Sequence, residues 1–476
     1  MNESCEKSIL DDLAEIVAIP SVYDAQTVSP DAPYGAGCRR ALDWFVEKAR
    51  SYGLKAENCD NYCAYAEVGS GDECVGVLAH LDVVPAGNGW STPPFKMIEE
   101  NGKVYGRGVG DDKGSAVVCL HALKELKDSG AKLKRRVRLI VGADEERGSS
   151  CIRHYLQTGG EVPAMSFVPD SEFPVINSEK GISHIMLSFK HEKLAESITA
   201  MSAAQCYNAV PDRATVTLKA GGPLENALKA AGGNCVTRDA LNKNPFCQMF
   251  IKPCTPRISD FETLVGKQTT IAANGIAEHA STPDKGENAL WKLLALLCAS
   301  EPAIGCAGLL DEAVDKLCRS DAAERLGIYV NDEKSGDLTM CMSYAEFDEK
   351  ESAIKFVIDF RLPLGVKPEP IAKTLEQQLG CRAEILDYHE NLYIDEEEPL
   401  VKTLLKVYRR ITGDTTEPLQ TGGGTYAREL PNAVAFGCTP LGLDINMHKA
   451  DENFPIAQLF KNFEIYLAAM LELAKM

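Results

Sequence analysis

Cys74-Val75-Gly76-Val77-Leu78-Ala79-His80-Leu81-Asp82-Val83-Val84-Pro85 is the stretch that decides the fold class. Cys74 to Ala79 is a short apolar run between Gly71 and His80, and such a run suits a strand buried on both faces. Working outward, Val137 to Gly142 reads as a second buried strand and Ser166 to Val168 as a third. Helical patterns cover roughly 4–18, 36–52 and 115–129. Strands alternating with helices predict an α/β domain with a mixed, largely parallel sheet.

The texture changes near residue 184. Strand-like Ile185–Phe189, Ala214–Leu218 and Phe356–Phe360 mix with helices near 223–232 and 287–300. This predicts a separate α+β domain inserted at 184–393. The first domain, residues 1–183, is then completed by residues 394–476, with helices at 397–412 and 455–475.

Composition narrows the function. Fifty basic residues against sixty-nine acidic ones give a net charge of −19 over 476 residues, which argues against nucleic acid or an anionic membrane as a partner. No apolar run approaches the roughly 18 to 20 residues of a membrane span. The first residues show no basic stretch leading into an apolar core, so no signal peptide is expected. Seventeen cysteines without a C-x-x-C pair read as reduced thiols of a cytoplasmic protein.

Ligand sites in α/β sheets gather beyond the carboxyl ends of strands. His80 and Asp82 stand there, two apart, so that both can face one pocket. Tyr105-Gly106-Arg107-Gly108-Val109-Gly110-Asp111-Asp112-Lys113-Gly114 is a glycine-rich turn entering a helix. It lacks the order of a phosphate-binding loop, and its paired carboxylates suit a cation. A simple helix cap would account for one aspartate and leave the other. Ala143-Asp144-Glu145-Glu146-Arg147 and Val168-Pro169-Asp170-Ser171-Glu172 follow two more strands, and Met447-His448-Lys449-Ala450-Asp451-Glu452 precedes the last helix. Each motif is weak alone. Clustered, the acids would repel one another by several kcal/mol unless cations were present. Histidines and carboxylates together form the mixed N/O set that Zn²⁺, Mn²⁺ or Co²⁺ accepts.

The ordered set H-L-D-V-V-P, G-R-G-x-x-D-D-K-G, D-E-E, P-D-x-E-F-P and H-x-A-D-E-x-F resembles the M20 family of metallopeptidases, and its PepV-type dipeptidases in particular. The resemblance spans nearly the whole chain. It implies two divalent ions, Zn²⁺ foremost and Mn²⁺ or Co²⁺ as alternatives, bridged by Asp111. His80 and Asp170 would complete one site, Glu146 and His448 the other. Glu145 would be the general base, and Asp82 would orient His80.

For the inserted lid domain the resemblance implies His279, in Glu278-His279-Ala280-Ser281-Thr282-Pro283, as the transition-state donor. It implies Asn208 at the substrate and Arg361 as the fork for the substrate's carboxylate. Gly423, Gly424 and Thr425 resemble a substrate-lining loop. Without the resemblance, His279 and Arg361 read as surface residues and the glycines as a flexible turn. Ser115 and Arg147 depart from the family's commonest pattern, and Arg147 adds charge near the pocket. The expected activity is a dipeptidase acting as a monomer. A deacylase of N-acyl amino acids is the alternative within the enzyme class, and a non-catalytic metal-binding scaffold the alternative outside it.

Overall fold

The computed structural model describes residues 3–203, 206–230, 261–265 and 268–476. The chain divides into two compact units, Met1–Glu179 with Leu392–Met476, and Lys180–Asn391. The boundaries fall slightly before the expected 184 and 394. Only Lys180 separates the strand Ile176–Glu179 of the first unit from Gly181–Lys190 of the second, so no turn residue marks the passage.

The first unit is built on a nine-stranded mixed sheet. Its centre is parallel: Arg136–Gly142, Cys74–His80, Met165–Val168 and Ala433–Ala435 lie side by side in that order. Every residue of Cys74–His80 is buried, as its unbroken apolar run requires. Antiparallel strands finish both sides. Lys55–Cys59 and Cys63–Val68 form a hairpin against Arg136–Gly142, and Leu392–Tyr393 pairs with Ile176–Glu179. The helix Lys113–Asp128 is buried over most of its length and packs on the final helix, Ile456–Lys475. Leu120, Leu123, Phe463, Tyr466 and Met470 belong to this core.

The second unit carries an eight-stranded sheet whose neighbouring pairs are all antiparallel. Alternate residues of Gly181–Lys190 are buried, the signature of a sheet covered on one face. The helix Ala289–Ile304, started by the Asn288 side chain accepting from the Leu290 and Trp291 amides, contributes to that core. The helix expected near 223–232 is present as Pro223–Ala230; positions 231 and 232 lie outside the described residues. A two-strand ribbon pairs Ala209–Val210 with Glu278–His279.

Candidate metal centre

Three adjacent parallel strands of the first unit end together, and acids follow each. His80 closes Cys74–His80, Glu145 and Glu146 lie just beyond Arg136–Gly142, and Asp170 just beyond Met165–Val168. Asp111 arrives from the turn before the Lys113–Asp128 helix. His80 Nε2 stands 3.0 Å from Asp111 Oδ1 and 3.6 Å from Asp170 Oδ2. His448 Nε2 stands 2.8 Å from Asp111 Oδ2 and 3.2 Å from Glu146 Oε2. The two oxygens of one buried carboxylate therefore face two different histidines, each with a second carboxylate beside it. Ligand atoms of His80, Asp111 and Glu146 lie within 4.8 Å of one another, as do those of His80, Glu145 and Asp170.

The cap alternative fails on geometry. Asp112 holds the capping position without a side-chain cap bond, and its Oδ2 instead accepts the His80 backbone N–H at 3.2 Å. Asp82 is busier than the sequence suggests. His80 Nδ1 lies 2.9 Å from the Asp82 carbonyl oxygen and 3.5 Å from its carboxylate. A proton on Nδ1 leaves Nε2 as a lone pair aimed at the acids, the form a metal needs. The Asp82 carboxylate itself accepts the backbone N–H groups of Glu145 and Glu146, both at 3.1 Å. One residue thus sets both the histidine and the turn carrying the two glutamates.

Charge balance supplies the test of fit. Burial and the nearby Asp170 and Glu146 push the Glu145 carboxyl well above its ordinary range. Burial and Asp111 push Glu146 up to about 7, and the same two causes raise Asp170. Burial opposes charge on His448, but Asp111 and Glu146 carry it up to about 11. The site holds more carboxylate than two histidines neutralise, and divalent cations with N/O preference match that deficit.

A consequence follows for stability. A carboxyl raised in the fold binds its proton more tightly there than in the unfolded chain, so stability falls as pH rises from the unfolded value towards the folded one. Chelated protein is expected to lose melting temperature as pH rises from 4.5 to about 7, the span set by Glu146. His448 adds loss of the same sign above 6.5. Restored metal should flatten that slope, which thermal melts in chelator and in metal would show.

Glu452 carries no role in the sequence reading, yet it holds the turn that carries Asp111. Its buried carboxylate accepts the amides of Gly108, Gly110 and Asp111 at 3.0 to 3.3 Å, and Arg107 Nη1 donates to it at 2.6 Å. The signal was present in Arg107, a large cation amid glycines that must find a partner if buried. His448 sits at φ 60, a left-handed conformation rarely kept without reason.

The loop at 423–425 lies near this centre, since Tyr426 presents its ring 6.3 Å from that of His80. Thr425 is committed elsewhere: its hydroxyl donates to buried Glu179 at 2.7 Å and accepts the Ala427 amide. A Cβ on Gly424 would stand 2.0 Å from the Arg428 guanidinium, so a side chain there would push Arg428 off Glu179 and the Gly423 carbonyl. Gly423 donates its amide to the Thr421 hydroxyl at 3.0 Å.

Asn208, His279 and Arg361 belong to the second unit. The Asn208 carbonyl accepts the Ala280 amide at 2.9 Å, and Ala209 pairs with His279 across the ribbon. His279 is exposed, its Nδ1 2.6 Å from the Ser281 hydroxyl. Arg361 is buried, not an exposed strand-end cation, and it forks onto Asp359 at 2.6 and 2.8 Å.

A mixed α/β sheet with this donor set at its strand ends suits the binding of divalent metal ions. A sequence model of "Peptidase family M20/M25/M40" matches residues 76–472, and the chain belongs to that family. It is 32% identical over 479 residues to "Putative dipeptidase YtjP" of Bacillus subtilis (strain 168), covering 99% of this chain and 98% of that one. Human carnosine dipeptidase 1 has a similar fold, with TM-score 0.59 at 15% identity over 99% of this chain and 97% of its own. So has the Bacillus subtilis YXEP protein, described as a dinuclear metal binding peptidase, with TM-score 0.50 at 10% identity over the whole of both chains.

Proposed function

We propose that the protein is a dipeptidase that works with two divalent metal ions. The observation that carries this reading is the division of the Asp111 carboxylate between His80 and His448, at 3.0 and 2.8 Å. His80, Asp170 and Asp111 would hold one ion; Glu146, His448 and Asp111 would hold the other. When bound, the ions polarise the scissile carbonyl and make water a stronger acid and nucleophile at neutral pH. Zn²⁺ is the first candidate, with Mn²⁺ and Co²⁺ next.

Glu145 accepts the proton from the attacking water and returns it to the leaving amine. Burial and the neighbouring Asp170 and Glu146 raise its affinity for a proton, which suits a group that must accept one. In the second unit, His279 is assigned to the oxyanion, Asn208 to the substrate backbone and Arg361 to the substrate's terminal carboxylate. Gly423, Gly424 and Thr425 would line the substrate through their backbone, since the Thr425 hydroxyl is taken.

We read the enzyme as a cytoplasmic monomer. Support comes from the large second unit and from buried cysteines such as Cys38, Cys63, Cys74, Cys119 and Cys151, which form no disulfide. No helix of the described residues is long and apolar enough to cross a membrane. The test is turnover of Ala-Ala-type dipeptides against N-acetyl and N-succinyl amino acids, on chelated enzyme and with each metal restored. Dipeptides should be cleaved faster, and only with metal. Faster cleavage of the acylated compounds would replace this reading with the deacylase.

A further inference from the structure

We infer that His184 is a positioning residue for substrate recognition, holding the Asp359–Arg361 pair in the geometry and charge with which Arg361 attracts a substrate carboxylate. The inference rests on the role proposed for Arg361.

His184 lies on Gly181–Lys190, between Ala353–Leu362 and Arg382–His389, directly across from Asp359 on one side and Asp387 on the other. Its Nδ1 stands 2.8 and 2.9 Å from the two Asp387 oxygens, and its Nε2 3.2 Å from Asp359 Oδ2. Asp359 is fully buried and accepts Arg361 Nε at Oδ1 and Arg361 Nη2 at the same Oδ2 that faces His184. Anion, cation, anion and cation thus alternate in one row: Asp387, His184, Asp359, Arg361.

The order matters for the last member. A guanidinium forked onto a buried carboxylate is nearly neutralised, and that carboxylate would repel an incoming anion. His184 changes the balance only if charged. Burial opposes its charge, but Asp359 and Asp387 carry its pKa up to about 9. At neutral pH the single charge of Asp359 is therefore shared by two cations. Asp387 is 40% exposed, where water screens it.

On the other side of Ala353–Leu362, the buried Cys341 of Thr339–Asp348 lies across from Asp359, and burial with that carboxylate pushes its thiol up. His389 follows Asp387 on its strand and lowers its pKa, and Lys180 acts on Arg361 through space. The Tyr207 ring lies 5.2 Å from that of His184 and 5.3 Å from that of Tyr344. Tyr207 precedes Asn208, so His184 touches the segments that carry two of the three residues assigned to the substrate in this unit, Asn208 and Arg361.

The measurement is kcat/KM of the metal-loaded enzyme for Ala-Ala divided by that for Ala-Ala amide, in which shared ionisations divide out. His184→Leu should lower this ratio about tenfold, through KM and not kcat. His184→Gln, still able to donate to Asp359, should fall between. The wild-type ratio should drop as pH passes about 9, and Asp387→Asn, a change at a half-exposed site, should move that drop to lower pH. Arg361→Lys separates the two levels of the idea. If it leaves the ratio intact, the carboxylate role of Arg361 is wrong. If it abolishes the ratio while His184→Leu preserves ratio and pH profile, the positioning role alone is wrong. If His184→Leu does not fold, an unmoved break in Asp387→Asn overturns the inference.

Discussion

Glu145→Ala is expected to lower kcat on a dipeptide by about 10²- to 10⁴-fold while leaving metal content and KM nearly unchanged. Asp82 holds the Glu145 and Glu146 amides side by side at 3.1 Å, and two adjacent residues point different ways. Glu146 turns to His448, at 3.2 Å, as a ligand would. Glu145 is the acid with the stronger reason to take up a proton: it is half-buried, near Asp170 and Glu146, and desolvation and those charges raise its pKa well above the usual carboxylate range. Removing it also removes repulsion, so the chelated variant should melt above chelated wild type, whereas an Asp170 variant should lose metal. Metal analysis beside steady-state kinetics distinguishes the cases. Activity within threefold of wild type would exclude Glu145 as the base, and loss of an ion would make it a ligand.

The sequence made some of this legible because the relevant signals are local. The Cys74–His80 run is apolar throughout, and the residue that ends it is the first candidate ligand. The glutamates and Asp170 likewise follow apolar strands directly, so their shared edge could be foreseen from alternation alone. What escaped depends on register or on a distant partner. The hairpin Lys55–Cys59 with Cys63–Val68 includes polar Glu57 and Asn58 and gives no clear period. His184 gains meaning only from strands that bring Asp359 and Asp387 to it across 175 and 203 residues. Asp82 was legible as a neighbour of His80, but its carboxylate serves amides 63 and 64 residues on. Glu452 escaped for the same reason. Its partners lie more than 340 residues earlier, and glutamate before a helix ordinarily reads as solvated.

Glu452→Gln should therefore act far more strongly than its conservative look suggests, costing about 3–5 kcal/mol as a buried ion pair broken on one side. Arg107, 1% exposed and bonded to Glu452 at 2.6 Å, would keep its charge with no anion to answer it. Its remaining contacts, the Pro85 and Ala86 carbonyls at 3.4 Å and the Trp90 ring at 5.3 Å, are weaker. The Gly108, Gly110 and Asp111 amides would also face a group able to accept with only one atom. Urea unfolding of the metal-loaded protein should register the loss. Adding Arg107→Met removes the stranded charge and should return much of the stability. It should not return metal affinity, because the Asp111 backbone would still lack the carboxylate that holds it. Recovery of both in the double variant would mean that Glu452 serves Arg107 alone. Stability without affinity would show that one buried glutamate sets where Asp111 stands.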